Sequence, residues 1–252
     1  YLVKIIVNGF HMSISKKRIV FTGGNGRFGK VLQKENFNYK VFFPSKSNFN
    51  ITKIKSIEKY LDIYKPNILV HMAALSRPMS IHDNDIVKSI NLNIIGTANI
   101  TNACAKRNIK LIYFSTLYVY QGVKGNYKET DPLLPVNNYG WSKLGGESSV
   151  QMYKNSLILR ICMTEKPFVH KSAFVDVKTN FIFHDKVIPI LKKVLNKKGI
   201  INLGGPIKTV YDFAVKNKPD VKKISAKKSQ KGKFPLNPSM SLKKLNRILN
   251  ND

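Results

Sequence analysis

Short apolar runs alternate with segments of helical period from residue 18 onward, and this alternation constrains the fold more than any other feature. Runs rich in β-branched and apolar residues lie at positions 18–22, 40–43, 68–71, 110–115 and 156–161. Segments of helical character lie between or after them, at positions 26–35, 54–64, 85–107 and 139–153. Strands that alternate with helices are joined by crossover connections, so they run parallel and carry helices on both faces of the sheet. The sequence therefore predicts an α/β fold with a doubly wound parallel sheet.

The same pattern divides the chain into three parts. Residues 13–162 carry the regular alternation and are expected to form the main domain. Residues 163–252 have a looser pattern and are expected to form a smaller C-terminal α/β lobe that binds the substrate. In this lobe an apolar helix, a short strand and a terminal helix are predicted at residues 187–195, 200–203 and 241–249. Residues 1–12 are interpreted as an N-terminal extension or an extra edge strand.

The charge balance limits the classes of partner. The chain has 43 lysines and arginines against 14 aspartates and glutamates, which gives a net charge of +29. Such a surplus is compatible with a nucleic-acid surface, with attraction for an anionic substrate, or with a bias toward lysine codons. The lysines are spread over the whole chain without the interleaved aromatic residues that stack bases. Bias together with substrate attraction is therefore favoured over nucleic-acid binding.

The apolar residues and cysteines exclude further classes. No window approaches the run of about 20 apolar residues that a membrane helix needs, and the first residues lack the ordered sections of a signal peptide. A soluble cytoplasmic protein is expected. Cys104 and Cys162 lie in apolar surroundings without metal-ligand spacing, so we expect buried thiols and no metal site.

A glycine-rich turn follows the first strand of the alternating region. Gly23, Gly26 and Gly29 are spaced three apart between a strand and a helix. The first glycine allows a sharp turn, the second lets the backbone approach a pyrophosphate, and the third lets helix and strand pack closely. This turn, with Arg27 and Phe28 inside it, predicts a dinucleotide site.

The end of the second strand indicates which dinucleotide binds. An NAD site usually places an acidic residue there, about 20 residues after the glycines. This chain instead has Ser45, Lys46 and Ser47, which offer one cation and two hydroxyls to a 2′-phosphate. Because Arg27 could add a second cation, NADP(H) is favoured over NAD(H).

Tyr139 and Lys143 lie four residues apart and hence on one face of a helix. A nearby ammonium stabilises a phenolate, so Lys143 is expected to lower the pKa of Tyr139 and make it a usable general acid or base. Ser115 and Thr116 end a central strand, at the edge where open α/β sheets hold their ligands. Thr116 is expected to hydrogen-bond a substrate carbonyl beside Tyr139.

Four motifs in the same order are similar to those of the extended short-chain dehydrogenases. They are the TGxxGxxG turn at residues 22–29, the VHMAA segment at 70–74, the NxxGT helix at 93–97 and the YxxxK pair at 139–143. The resemblance implies a Rossmann-type sheet. It also implies a set of cofactor-binding residues, namely Gly23, Gly26, Arg27, Phe28, Gly29, Ser45, Lys46, Asn50, Ile51, Ala73, Ala74, Asn93, Ser115, Tyr139 and Lys143.

Within that group the chain is most similar to the dTDP-4-dehydrorhamnose reductases and their sugar-nucleotide relatives. Residues 115–122 resemble their STDYVFDG segment, residues 139–147 their YGxTKLxGE segment, and residues 49–52 the D-I-T segment that lies against adenine. Leu117 and Asn50 each replace an aspartate of the family. Sugar-nucleotide dehydratases carry an Asp-Glu pair where this chain has Leu117 and Tyr118, so dehydration by that mechanism is not expected.

The resemblance implies reduction of a 4-keto-6-deoxy nucleotide sugar by NADPH, with Thr116, Tyr139 and Lys143 as the catalytic residues. Tyr118 and Arg160 are expected to contact the substrate, Lys166 and Lys171 are further candidates for its diphosphate, and a homodimer is expected because dimers are common in the group. Three alternatives remain open. They are a nucleotide-sugar 4-epimerase that retains NAD, a non-catalytic NADP-binding regulatory subunit, and a nucleic-acid binder.

Overall fold

The computed structural model describes residues 4–7, 10–13, 16–228 and 235–251. The strands are β1 (Lys4–Val7), β2 (Phe10–Ser13), β3 (Arg18–Thr22), β4 (Lys40–Phe42), β5 (Ile68–His71), β6 (Lys110–Thr116), β7 (Ser156–Ile161), β8 (Met163–Thr164), β9 (Ser172–Phe174), β10 (Lys178–Thr179), β11 (Ile182–Phe183), β12 (Gly199–Leu203), β13 (Lys208–Thr209) and β14 (Lys222–Ile224). The helices are α1 (Arg27–Leu32), α2 (Ile54–Tyr64), α3 (Ile81–Asn84), α4 (Ile86–Ser89), α5 (Gly96–Lys106), α6 (Asn138–Gln151), α7 (His184–Val194), α8 (Val210–Ala214) and α9 (Lys243–Asn250).

A six-stranded parallel sheet forms the centre, in the spatial order β12-β7-β6-β5-β3-β4. The five strands predicted from the apolar runs are all present in it, and the predicted doubly wound α/β fold is confirmed. The long helix predicted at residues 85–107 is divided. A π turn over Ile90–Ile95 separates α4 from α5.

Both faces of the sheet are covered, as its apolar strands require. In β3, Ile19 and Phe21 belong to one core, which also contains buried residues of α1 and α7. Val20, which points to the opposite face, belongs to a second core with residues of α2 and α5. This alternation follows from the period of two along a strand.

The order of the strands locates the crevice for a ligand. The chain leaves β3 toward β4 on one side and then returns to place β5 on the other side of β3. The loops after β3 and β5 therefore diverge at the carboxyl edge of the sheet. In doubly wound sheets such a switch point is where ligands bind.

The C-terminal part of the chain contributes to this central sheet. The strand predicted in the smaller lobe at residues 200–203 is β12, which pairs with β7 over five residues. Helix α7, which precedes β12, packs its buried residues Val187 and Leu191 into the core that α1 also covers. The regions predicted at residues 13–162 and 163–252 are thus interleaved, because the sixth strand comes from the second region.

After β7, the strands outside the central sheet form three two-stranded pairs, β8 with β11, β9 with β14 and β10 with β13. A separate small core of Phe168, Val177, Val210 and Val221 lies among them. Strands β1 and β2 pair antiparallel with each other and are not part of the central sheet, so the alternative of an extra edge strand is not supported.

The cysteines and the apolar character of the helices bear on two further expectations. Cys104 and Cys162 are free and buried, so the predicted buried thiols are confirmed. Within the described ranges, none of the helices combines the length and the apolar character needed to cross a membrane.

Candidate active site

The glycine turn joins β3 to α1 at the switch point. Gly23 has a φ of +76°, and a side chain there would place its Cβ 2.9 Å from the amide nitrogen of Ala73. Only glycine fits such a backbone without strain. The amide of Gly26 donates to the carbonyl of Gly23 at 2.9 Å, and a Cβ on Gly29 would collide with the carbonyl of Gly24. The three glycines thus form a tight turn, closely packed against the loop after β5, that could accommodate a dinucleotide.

A buried hydrogen-bond chain fixes the ends of β3 and β5. The hydroxyl of Thr22 accepts from the amides of Met72 and Ala73, both at 3.1 Å, and lies 2.8 Å from Nδ1 of His71. Nε2 of His71 lies 3.2 Å from the hydroxyl of Thr97, which in turn donates to the carbonyl of Asn93. Burial lowers the pKa of His71 to about 3, so the imidazole is neutral.

These partners determine where the protons lie. Since the Thr22 hydroxyl already accepts two amides, it donates to Nδ1 of His71, and Nε2 therefore carries the proton that is donated to Thr97. In the sequence, these positions stand out only as members of the family motifs. A buried histidine at a strand end, flanked by two threonines of other motifs, was the available signal.

Asn93 lies in the π turn and connects two loops of the site. Its side-chain oxygen accepts from the amide of Leu75 at 2.8 Å, and its amide group donates to the carbonyl of Leu75 and the hydroxyl of Ser142, both at 2.9 Å. Asn93 is fully buried. The side chain thus holds the segment after Ala73 and Ala74 against α6, which is a positioning role, and its predicted cofactor contact stays a prediction.

Thr116, Tyr139 and Lys143 come together at the carboxyl edge. Tyr139 lies in the first turn of α6, where Asn137 caps the helix by accepting from the amide of Gly140 at 2.8 Å. The hydroxyl of Thr116 lies close enough to the phenol to act on its pKa. Nζ of Lys143 is buried and lies 4.2 Å from the centre of the Tyr113 ring.

The electrostatics of this group differ from the expectation. Burial raises the pKa of Tyr139 to about 12, although the nearby hydroxyl of Thr116 and the charge of Arg77 act to lower it. Burial also lowers the pKa of Lys143 to about 7, against the attraction of Glu147. The predicted lowering of the tyrosine pKa by Lys143 is therefore not found, because the lysine itself is only partly protonated near neutral pH.

Two residues expected to contact ligands lie instead in a buried network under α6. Arg160 is 1% exposed, and its Nη2 lies 2.6 Å from Oε1 of Glu147. It also donates to the hydroxyl of Tyr120 at 2.8 Å and to the carbonyl of Glu129 at 3.0 Å. Ser115 donates to the other oxygen of Glu147 at 2.5 Å. Because both side chains are buried and paired here, this arrangement does not support the predicted substrate contact of Arg160 or the predicted cofactor contact of Ser115, and both stay predictions.

Tyr118 remains a candidate for substrate contact. Its ring packs edge-on against that of Tyr139, with 6.0 Å between the ring centres, and is half-buried. Leu117 beside it is buried in an apolar cluster. A carboxylate that could serve a dehydration is therefore absent from both positions.

The residues predicted for the adenosine end form an ordered turn. Oγ of Ser45 and Oγ of Ser47 are 2.7 Å apart, and Asn50 accepts from both the amide and the hydroxyl of Thr52. Asn99 donates to the carbonyl of Ile51 at 3.1 Å. The side chain of Asn50 thus shapes the turn, and its predicted contact with adenine stays a prediction.

Lys46 is exposed and lines an open cleft of about 590 Å³. Thr52, Lys88 and Asn91 lie on the same cleft, and so does Asp85. Lys88 is a second cation on this cleft, and it belongs to none of the sequence motifs. Its only sequence signal was its position five residues before the NxxGT motif.

Arg27 lies in a different charged group from the one expected. Its Nη1 is 3.1 Å from Oε1 of Glu165, a residue directly after β8. Nη1 of Arg77, in the loop after β5, lies 3.0 Å from the same oxygen and 3.3 Å from Oε2. The guanidinium of Arg27 is thus held by Glu165, and a role beside Lys46 at a 2′-phosphate is not supported. Lys166 and Lys171 are exposed nearby in sequence.

Comparison with known proteins places these residues in a family. The profile of the RmlD substrate binding domain family matches residues 17–177, well over half of the chain. The chain belongs to this family. The resemblance inferred from the motifs is confirmed, and the matched range contains every residue of the candidate site.

Two curated relatives illustrate the range of the family. A dTDP-4-dehydrorhamnose reductase from Aggregatibacter actinomycetemcomitans is 29% identical over 196 residues, which are 75% of this chain and 62% of that protein. The beta subunit of methionine adenosyltransferase 2 from Pongo abelii is 28% identical over 148 residues, 55% of this chain and 44% of that protein. The chain therefore spans less than two thirds of the length of either relative.

Solved structures of similar fold cover nearly all of the chain. The dTDP-4-dehydrorhamnose reductase of Bacillus anthracis in complex with NADP has a TM-score of 0.83 at 23% identity, over 95% of this chain and 93% of that one. The Bordetella bronchiseptica enzyme WbmG in complex with NAD has a TM-score of 0.74 at 18% identity, over 94% of this chain and 89% of that one. At these identities the comparison establishes the Rossmann-type fold.

Proposed function

We propose that this RmlD-family chain reduces the 4-keto group of a 4-keto-6-deoxy nucleotide sugar at the expense of NADPH. The observation that carries the proposal is the grouping of three side chains at the carboxyl end of β6, where Thr116 ends the strand, Tyr139 begins α6 and Lys143 is buried one helical turn later. The group lies on the edge of the sheet that also carries the glycine turn. Such a placement suits a carbonyl compound held between a proton donor and a dinucleotide.

The roles follow from the chemistry of each side chain. Tyr139 donates its phenolic proton to the ketone oxygen; a pKa raised to about 12 keeps the phenol protonated but makes it a weak acid, so donation requires that the phenolate be stabilised as it forms. Thr116 orients the ketone through its hydroxyl. Lys143 holds the nicotinamide ribose and, when protonated, stabilises the phenolate that Tyr139 leaves behind. The bound dinucleotide supplies the hydride.

The fit of the dinucleotide rests on the glycine turn. Gly23 and Gly29 leave no room for a Cβ, so the turn keeps its backbone close to the loop of Ala73. The preference for NADPH is proposed from Lys46 and the paired hydroxyls of Ser45 and Ser47, with no carboxylate at these three positions.

Reduction is proposed rather than epimerisation or dehydration. An epimerase of this fold would retain NAD, and the acidic residue expected for NAD after β4 is absent. Dehydration lacks its acid and base at Leu117 and Tyr118.

The test is incubation with NADPH and a panel of dTDP- and UDP-linked 4-keto-6-deoxy sugars, following loss of nicotinamide absorbance together with the reduced sugar. Tyr139→Phe is expected to lower kcat by about 10²–10⁴-fold while NADPH still binds. Tyr39→Phe, on a partly buried tyrosine away from the edge, serves as the matched control. Full activity in Tyr139→Phe would contradict the assignment.

A second candidate function is a non-catalytic regulatory subunit that binds NADP. The similarity to the beta subunit of methionine adenosyltransferase 2 favours it. It predicts cofactor binding without turnover of any sugar, and copurification with a larger enzyme. The presence of Thr116, Tyr139 and Lys143 together favours the reductase.

A further inference from the structure

Glu165 holds two arginines that come from two different loops of the site. Its carboxylate lies 3.1 Å from Nη1 of Arg27 in the glycine turn, and 3.0 and 3.3 Å from Nη1 of Arg77 in the loop after β5. These are the two loops that diverge at the switch point of the sheet. The ion pairs therefore cross the mouth of the crevice.

The cluster carries more positive than negative charge. Besides the two guanidiniums, the imidazoles of His170 and His184 lie close enough to interact electrostatically with Glu165, Arg27 and Arg77. Arg77 also acts on the phenol of Tyr139, which places its charge near the reacting end of the site. One carboxylate therefore faces two full cations, and the planar donor forks of arginine match phosphate oxygens as well as carboxylate oxygens.

Stability does not account for this arrangement. The side chains of Arg27 and Arg77 are 53% and 32% exposed, and ion pairs that are open to water contribute little to folding. For the same reason the pairs can be broken at low cost when another anion arrives. A carboxylate held between two arginines in this way occupies the place that an anionic ligand could take.

We propose that Arg27 and Arg77 form a diphosphate-binding site and that Glu165 occupies it until a nucleotide displaces the carboxylate. The inference rests on the proposed function, since both the dinucleotide and the nucleotide sugar carry a diphosphate. Glu165 then weakens binding of whichever diphosphate uses the site, and it prevents two uncompensated cations from facing each other in the free protein.

The experiment compares Glu165→Gln with the wild-type protein by isothermal titration calorimetry at fixed ionic strength. Inorganic pyrophosphate, NADPH and dTDP are titrated separately. Removing the competing charge is expected to tighten pyrophosphate binding about tenfold, whereas Arg77→Gln is expected to weaken it by a similar factor. The double variant Glu165→Gln/Arg77→Gln is expected to lose the gain, because the two residues act on one site.

Glu58→Gln is the matched control. Glu58 also bridges two cations, at 3.2 Å from Lys106 and 3.9 Å from Arg107, on α2 away from the crevice. It removes the same unit of charge from a strongly basic protein, so a general electrostatic effect would appear in both variants. Equal tightening in Glu58→Gln and Glu165→Gln would overturn the proposal.

The nucleotide arms identify the source of the diphosphate. Tightening of NADPH assigns the site to the dinucleotide, and tightening of dTDP assigns it to the sugar nucleotide. Unchanged or weaker binding of pyrophosphate in Glu165→Gln, or tightening of pyrophosphate with neither nucleotide, refutes the proposal. If Glu165→Gln does not fold, unchanged pyrophosphate affinity in Arg77→Gln refutes it equally. If Glu165→Gln tightens the binding of pyrophosphate and dTDP but NADPH does not bind, the proposed reductase fails while the anion site stands.

Discussion

The buried ion pair between Arg160 and Glu147 gives the sharpest test of the structure. Their side chains are 2% and 0% exposed, and Nη2 and Nε of Arg160 both reach Oε1 of Glu147, at 2.6 and 3.1 Å. Arg160→Met preserves most of the side-chain volume but leaves the carboxylate of Glu147 without a cation in the protein interior. Removing one partner of such a pair destabilises a protein by about 3–5 kcal/mol. The loss is expected near the upper part of this range, because the hydroxyl of Tyr120 and the carbonyl of Glu129 also lose their donor.

The assay is equilibrium unfolding in urea at neutral pH, with the midpoint and slope compared among variants. Arg107→Met is the control, since Arg107 forms a charge pair with an Asp62 side chain that is 63% exposed, where the expected loss is about 0–1 kcal/mol. The double variant Glu147→Gln/Arg160→Met should recover about 1–3 kcal/mol, because a neutral amide no longer needs the cation. Arg160→Met with wild-type stability but without binding of a nucleotide sugar would show that Arg160 contacts the substrate and that the buried pairing is wrong.

Three further predictions address the site itself. Lys143→Met should raise the free energy of unfolding by about 2–4 kcal/mol at pH 6 while abolishing reduction, because protonation of a buried lysine whose pKa is lowered to about 7 opposes folding. The unfolded chain holds that proton up to about pH 10.4, so the stability of the wild type rises between pH 7 and pH 10. The stability advantage of Lys143→Met over the wild type therefore shrinks as the pH approaches 10. Urea titrations at three pH values measure this change, with the exposed Lys154→Met as control. Gly23→Ala should weaken dinucleotide binding at least tenfold and lower stability by about 1–2 kcal/mol, because its φ is +76° and its Cβ would meet Ala73; retained affinity in fluorescence titration contradicts it. Lys46→Asp should reduce the ratio of NADPH to NADH affinity by about tenfold or more, and an unchanged ratio in parallel titrations would remove Lys46 from the 2′-phosphate site.

The elements and motifs that depend on local sequence could be predicted. The strand bounds at residues 68–71 and 156–161 agree with the structure residue for residue, because apolar strands buried on both faces have a clear signature. The glycine turn and the Tyr139–Lys143 spacing are likewise local. Their order along the chain was sufficient to indicate the family that the profile confirms.

The burial of Arg160 could not be predicted because its environment depends on a distant strand. With β12 assigned to a separate lobe, β7 was the last strand of the predicted sheet, and an arginine on such a strand is accessible to a ligand. In the structure β12 covers that edge, and Glu147 of α6 lies over the same residue. The partner was present within the YxxxK helix, but only the packing of α6 on β7 brings the two together.

The pKa values of Tyr139 and Lys143 cannot be predicted from their spacing either. Four residues of separation place both groups on one helix face, yet the depth of burial decides which of them carries charge. Lys143 lies over the Tyr113 ring, where desolvation disfavours its ammonium form. Sequence gives no direct measure of that depth.

The position of β12 has a consequence for how the chain acquires its structure. Its partner β7 ends at Ile161, and β12 begins only at Gly199. Strands β8 to β11 and helix α7 lie between them in the sequence. A fragment ending near residue 177 would therefore expose the outer edge of β7 as unpaired backbone, a surface prone to association with other strands. During synthesis on the ribosome this edge stays open until residue 203 has emerged, so the smallest piece of this protein that can complete its central sheet must extend at least to Leu203.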